Sequence, residues 1–338
     1  MNLERTRNAM PARWGRWIRR ACLGAGATLA LLTASVQAQD YPSRPIRLVV
    51  PFAAGGVTDA AARSMASEMS KQLGQPVVVD NRAGAGGVIG ADVVAKSPPD
   101  GYTLCFCSNG VFLIQPYLMA KMPMNPLTDL QPVTHVYDAD LVLSVNPASP
   151  FNSVEDVLKQ AKTKKGGVSY ASVGVGSIHH LSMERLAKQT GGTFVHVPYK
   201  GDAPAITDLL GGQIDLALLS TQAATSLSKE GKVRLLAASG NSRAPGLPDV
   251  PTFSESGVPG FSFSVWIGLF VPTGTPAPVV QRLHDVASKV IQTPQMKTWM
   301  ASQGLRPNGG SGSEMKTFIA DQSKQFGALI RELDIKTE

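Results

Sequence analysis

From residue 46 onward, short apolar runs alternate with stretches of helical period. Strands are predicted at 46–50, 77–79, 102–107, 141–145, 168–171, 194–197, 214–219, 233–238 and 266–270. A helix is predicted from Thr58, where Met65, Met69 and Leu73 recur every fourth position and Gly74 closes the pattern. Further helical patterns lie at 88–96, from Ser153, at 178–189, after 199–204, at 221–229, 277–291 and 313–333. Strands that alternate with helices in this way specify an α/β fold, with mainly parallel sheets flanked by helices.

Two strand-to-helix links are rich in glycine and small residues. The first is Phe52-Ala53-Ala54-Gly55-Gly56-Val57-Thr58-Asp59; the second is Ser172-Val173-Gly174-Val175-Gly176-Ser177. Both follow a strand and open a helix, so each can bring backbone N–H groups and a helix N-terminus to one point, a seat for an anion. Ligands of open α/β sheets bind at the carboxyl ends of strands. One such link in each half of the chain therefore predicts a cleft between two lobes. The expected division is residues 39–140 plus 262–338 for lobe 1 and 141–261 for lobe 2, with crossings near 140 and 262.

The first 38 residues read as a cleaved export signal. Six arginines against Glu4 precede an apolar stretch at 21–32, and Val36-Gln37-Ala38 fits a cleavage site. The formal charge of +7 belongs mostly to that leader, since 26 basic residues face 24 acidic ones in the rest. The basic balance therefore does not point to nucleic acid. Cys105 and Cys107 occupy alternate positions of one strand, and the pair reads as buried thiols, a C-x-C bridge being geometrically awkward.

Catalytic sets are missing from the sequence. No G-x-S-x-G elbow, P-loop or full dinucleotide fingerprint occurs, and no His and carboxylate cluster has metal-ligand spacing. His179 and His180 follow Ser177, which leaves a secreted serine hydrolase as a rival reading, with His180 as a packing residue in the main one. Two facing anion seats with few charged side chains suit capture of a small carboxylate without chemistry, cofactor or metal.

The chain resembles the Bug family, the periplasmic solute receptors of tripartite tricarboxylate transporters. The likeness is carried by Tyr41-Pro42-Ser43-Arg44-Pro45, Val49-Val50-Pro51-Phe52, Gly55-Gly56-x-Thr58-Asp59, Asp80-Asn81-Arg82-Ala83-Gly84-Ala85-Gly86-Gly87 and Pro99-Asp100-Gly101-Tyr102. It continues through residues 170–177, Val197-Pro198-Tyr199-Lys200-Gly201 and Leu247-Pro248-Asp249-Val250-Pro251. The resemblance implies a two-lobe periplasmic binding protein fold, a monomer that closes on a carboxylate and delivers it to membrane subunits, or else to a sensor protein. It implies ligand contacts at Phe52, Ala53, Gly55, Gly56, Thr58, Asp59, Ser172, Gly174, Gly176 and Ser177, with Ser108 and Thr221 added as strand ends on the same side. Departures from the family pattern include Ala53-Ala54 where a proline is frequent, and Val57 and Val175 where polar residues are frequent. They suggest a ligand with a carboxylate at one end and an apolar or aromatic body.

Overall fold

The computed structural model describes residues 41–199 and 201–333, so the leader at 1–38 and Lys200 lie outside the described residues. The chain opens with β1 (Ile46–Val50), α1 (Val57–Leu73), β2 (Val77–Asn81), α2 (Val88–Ala95) and β3 (Thr103–Ser108). Three short helices follow, α3 (Asn109–Leu113), α4 (Gln115–Leu118) and α5 (Pro126–Asp129), and then the ten-residue β4 (Leu130–Ala139). The second set is β5 (Leu141–Val145), α6 (Val154–Thr163), β6 (Val168–Ser172), α7 (Ile178–Thr190), β7 (Phe194–Pro198), α8 (Asp202–Leu210), β8 (Leu216–Ser220), α9 (Thr221–Lys229) and β9 (Arg234–Ala238). The chain ends with β10 (Val265–Pro272), α10 (Ala277–Gln292), α11 (Pro294–Ser302), β11 (Leu305–Pro307) and α12 (Gly312–Glu332).

These strands make two sheets. The first has the order β11-β4-β10-β3-β1-β2 and the second β7-β6-β8-β5-β9. Strands from the βα units pair in parallel, β1 with β2 and β3, and β6 with β7 and β8. The strands at the crossings run antiparallel: β10 against β3 and β4, and β5 against β8 and β9. Each sheet is therefore mixed. Periodicity marks a strand without giving its direction, and a chain that returns from the other sheet enters from the opposite end.

The strand β4 lies where the sequence pattern predicts none. It carries Pro132, Thr134, His135 and Asp138, so it lacks both clean alternation and a continuous apolar run. Pairing with β10 shifts register twice along it, once beside Pro132, which has no N–H to give to a ladder. Helix α11 and strand β11 are likewise additions to the expected pattern.

The two cysteines correct a second expectation. Cys105 and Cys107 are joined in a disulfide across two residues of β3, both fully buried. Their Cα atoms are 5.4 Å apart, within the range a bridge spans, so the backbone removes the obstacle that favoured thiols.

Around β10 the first lobe builds an aromatic core. Phe112 stacks on Phe270 with ring centroids 4.5 Å apart, and Trp266 lies 5.8 Å from Phe112. Trp266 is fully buried and donates its indole N–H to Gln322 of α12 at 3.0 Å. Replacing Trp266 with Ala removes that packing and strands the Gln322 acceptor, so it should cost about 3–5 kcal/mol. Urea unfolding with an unchanged denaturant slope checks this.

Candidate functional site

Thr221 and Ser220, at the start of α9, face the loop after β1 across a cleft of about 350 Å³. The first sheet contributes Phe52, Ala53, Gly56, Val57, Thr58 and Asp59, together with Tyr137 and Ala139 from the end of β4. The second contributes Leu141, His179, Asp202 and Gln222. Val265, Gln303, Gly304 and Leu305 complete the wall.

Helix α1 begins at this cleft without a cap. Gly56 sits at its N-cap in extended conformation with no side-chain hydrogen bond, so Val57, Thr58 and Asp59 have N–H groups with no intrahelical acceptor. The Thr58 hydroxyl accepts from Tyr137 at 3.4 Å, which leaves its own proton to point elsewhere. Burial pushes the Tyr137 hydroxyl pKa up, so it stays a donor.

Asp59 holds this loop together. Its Oδ2 accepts from Gly55 N–H at 2.9 Å and from Arg63 Nε at 3.0 Å, while Oδ1 accepts from Asn81 at 2.9 Å. The Arg63 hydrogen bond leads, with those of Gly55 and Asn81, in holding the carboxyl down to about 2 against the effect of burial. Gly55 therefore gives its N–H to the loop, and Gly55 does not line the cleft.

The second glycine loop is closed on itself. Ser172 Oγ accepts from Gly174 N–H at 3.1 Å and lies 2.6 Å from His196 Nε2. Gly176 N–H donates to His180 Nδ1 at 3.1 Å, Ser177 N–H to Gly174 O at 3.2 Å, and Ser177 Oγ caps α7 by accepting from His180 N–H. Beneath the loop the rings of His180 and His196 stack 3.9 Å apart, with Tyr170 on the far face of the stack. Gly176 rests against Leu118 of α4, in a left-handed conformation where an added Cβ would meet that side chain at 2.1 Å.

Of the expected contacts, Phe52, Ala53, Gly56, Thr58, Asp59 and Thr221 line the cleft, whereas Ser172, Gly174, Gly176 and Ser177 do not. Ser108 is buried at the start of α3, also away from it. Val57 lines the cleft, but Val175 is 47% exposed and points to neither the cleft nor the loop interior. Sequence reasoning passed over Tyr137 and Asp140 and gave His179 and Asp202 no ligand role. The first two lie on or beside the unpredicted β4, His179 follows Ser177 by two residues, and Asp202 opens the helix after Tyr199-Lys200-Gly201.

Asp140 sits on the crossing between β4 and β5. Its backbone carbonyl accepts from Thr221 Oγ1 at 2.9 Å, and its carboxylate pairs with Arg306 of β11. Burial raises its pKa to about 6, against the pull of Arg306. Among the described residues no three His, Cys, Asp or Glu side chains are grouped to hold a metal ion.

Comparison with known proteins places this geometry in company. A family model for the tripartite tricarboxylate transporter family receptor matches residues 61–335. The chain is similar to protein BugT of Bordetella pertussis, 38% identical over 317 residues that cover 94% of this chain and 97% of that one. It is also similar to a solved R. palustris protein with adipate, 33% identical with a TM-score of 0.76, covering 88% of this chain and 100% of that one. MatC from Rhodopseudomonas palustris, solved with bound malate, is 30% identical with a TM-score of 0.70, covering 86% of this chain and 100% of that one.

The stacked imidazoles under the second loop make stability depend on pH. Burial first, and then the neighbouring His180 ring, push His196 down to about 4 from an ordinary 6.5. Between those values the unfolded chain binds the proton more readily, so this contribution is full above pH 6.5 and is lost as pH falls towards 4. Between pH 7 and pH 5 the wild type should lose about 1 kcal/mol more than His196→Gln, after allowance for solvent screening. Chemical unfolding of both proteins at the two pH values measures the difference.

Proposed function

This chain belongs to the tripartite tricarboxylate transporter receptor family, and on that premise we propose that it captures a small organic carboxylate between its two lobes. The observation that carries the reading is the uncapped N-terminus of α1 opening on the cleft. Three helix N–H groups and the Thr58 hydroxyl converge where a carboxylate fits, and the helix dipole favours negative charge there. The cleft walls beyond that point carry Phe52, Val57, Leu141, Val265 and Leu305, which suit an apolar or aromatic body.

In this reading Ser172, Gly174, Gly176, Ser177 and Ser108 shape the cleft through the loops they brace, and closure brings the second loop towards the ligand. Ser177 acts as a helix cap. Because the His180 ring accepts from Gly176, it is not placed to take a proton from Ser177, so binding rather than hydrolysis is the function proposed. The leader pattern at 1–38 supports a periplasmic location, and no helix among the described residues is long and apolar enough to cross a membrane. Delivery to the membrane subunits of a tripartite tricarboxylate transporter completes the proposal. Relatives solved with adipate and with bound malate support a small carboxylate as the ligand.

Isothermal titration of refolded protein with a panel of aliphatic and aromatic carboxylic acids tests the reading. Saturable binding of at least one acid is expected, and failure of the whole panel to bind would sink it. A sharper test uses Gly56→Ser. The backbone at Gly56 suits serine, and an added Cβ meets nothing within 4 Å. The serine hydroxyl would cap α1, raising the stability of the empty protein by a few tenths of a kcal/mol. It would compete with the ligand for the same N–H groups and weaken carboxylate affinity by about tenfold.

A further inference from the structure

Among the described side chains, the lobe 2 wall of the cleft offers acceptors and no cation. Among the described residues no arginine or lysine lines the cleft. Of its three carboxylates, Asp59 is held by Arg63, Asn81 and Gly55, and Asp140 by Arg306. Asp202, the first residue of α8, has neither an ion pair nor a hydrogen bond from its carboxylate among the described residues. Beside it stands His179 of α7, a residue 9% exposed, whose buried Nδ1 has no hydrogen-bond partner. Burial keeps that ring neutral by pushing its pKa down to about 4, although Asp202 pulls the other way. A neutral imidazole carries one bare nitrogen that accepts a hydrogen bond.

The carboxylate end of the ligand is assigned to α1, on the opposite wall. What reaches the other end therefore meets a carboxylate unpaired among the described residues and the hydroxyls of Ser220 and Thr221, with an imidazole nitrogen in need of a partner buried in the same wall. A second carboxylate on the ligand would face Asp202 with no cation between them as the lobes close and water leaves. A hydrogen-bond donor would be received by both acceptors.

We propose that Asp202 and His179 make this receptor select monocarboxylates whose far end is a hydrogen-bond donor, such as an ammonium, amide or hydroxyl group, over dicarboxylates. This rests on the reading of α1 as the carboxylate seat. It separates this chain from its relatives solved with adipate and malate, because selectivity here comes from a repulsive group as much as an attractive one.

The test is titration calorimetry at pH 7 with three acids of equal chain length: adipate, ε-aminocaproate and hexanoate. For the wild type, ε-aminocaproate should bind roughly tenfold or more tightly than adipate, with hexanoate between them. Asp202→Asn, at an exposed position where folding is not at stake, should shift the ratio of the two affinities at least tenfold towards adipate. His179→Phe, which fills the site without an acceptor, should weaken ε-aminocaproate and leave hexanoate unchanged. Adipate binding as tightly as ε-aminocaproate to the wild type, or a ratio unmoved by Asp202→Asn, overturns the selectivity while leaving carboxylate capture standing. If none of the three acids binds wild type or variant, the selectivity falls, and the receptor reading falls with it only if the wider panel of acids fails too.

Discussion

The chain crosses between its two sheets twice, and the cleft exists because those crossings are tied to each other. Leu141, just after the first crossing, donates its N–H to Ser239 Oγ at 2.9 Å, and Ser239 N–H returns to Leu141 O at 2.8 Å. Phe263 N–H then bonds Ser239 O at 2.8 Å as the second crossing leaves for β10. Two segments locked side by side permit bending and resist shear, so the ends of both sheets stay opposed across one axis. Asp140 lies on that axis with its carbonyl held by Thr221 and its carboxylate by Arg306, which links lobe 2, lobe 1 and the cleft floor through one residue.

On either side of the axis the two glycine loops solve the helix-start problem differently. Ser177 caps α7 and the histidines below take up the spare donors, so that loop is complete without a ligand. The loop before α1 spends its acidic side chain on its own backbone and on Arg63, and leaves the helix donors open. Similar sequences thus give one loop closed on itself and one with open helix donors. The difference lies in whether serine or glycine precedes the helix.

Much of this was legible along the chain. The βα units, the crossings near 140 and 262 as expectations, and the small-residue loops all follow from apolar period and turn residues, which act over a few neighbours. Direction of pairing is not local, which is why the sheets read as parallel and are mixed. β4 was hidden because both its faces are covered: Val133, Val136 and Tyr137 are buried, but so are Thr134 and His135, and polar residues buried by tertiary contact erase the alternation a reader relies on. Tyr137 and Asp140 were lost with it. His179 entered the sequence reading only beside Ser177 in the rival hydrolase, and its place with Asp202 on one wall emerges only when α7 and α8 are folded. The disulfide was missed because bridging depends on a Cα separation that residue spacing alone leaves open.

Glycine at position 56 also bears on the stability of the empty protein. Judged by folding alone, serine is the better residue there, since the backbone is already extended and the space for a side chain is empty. In the proposed reading the empty protein is left slightly unfinished there, and a bound carboxylate would supply the missing cap.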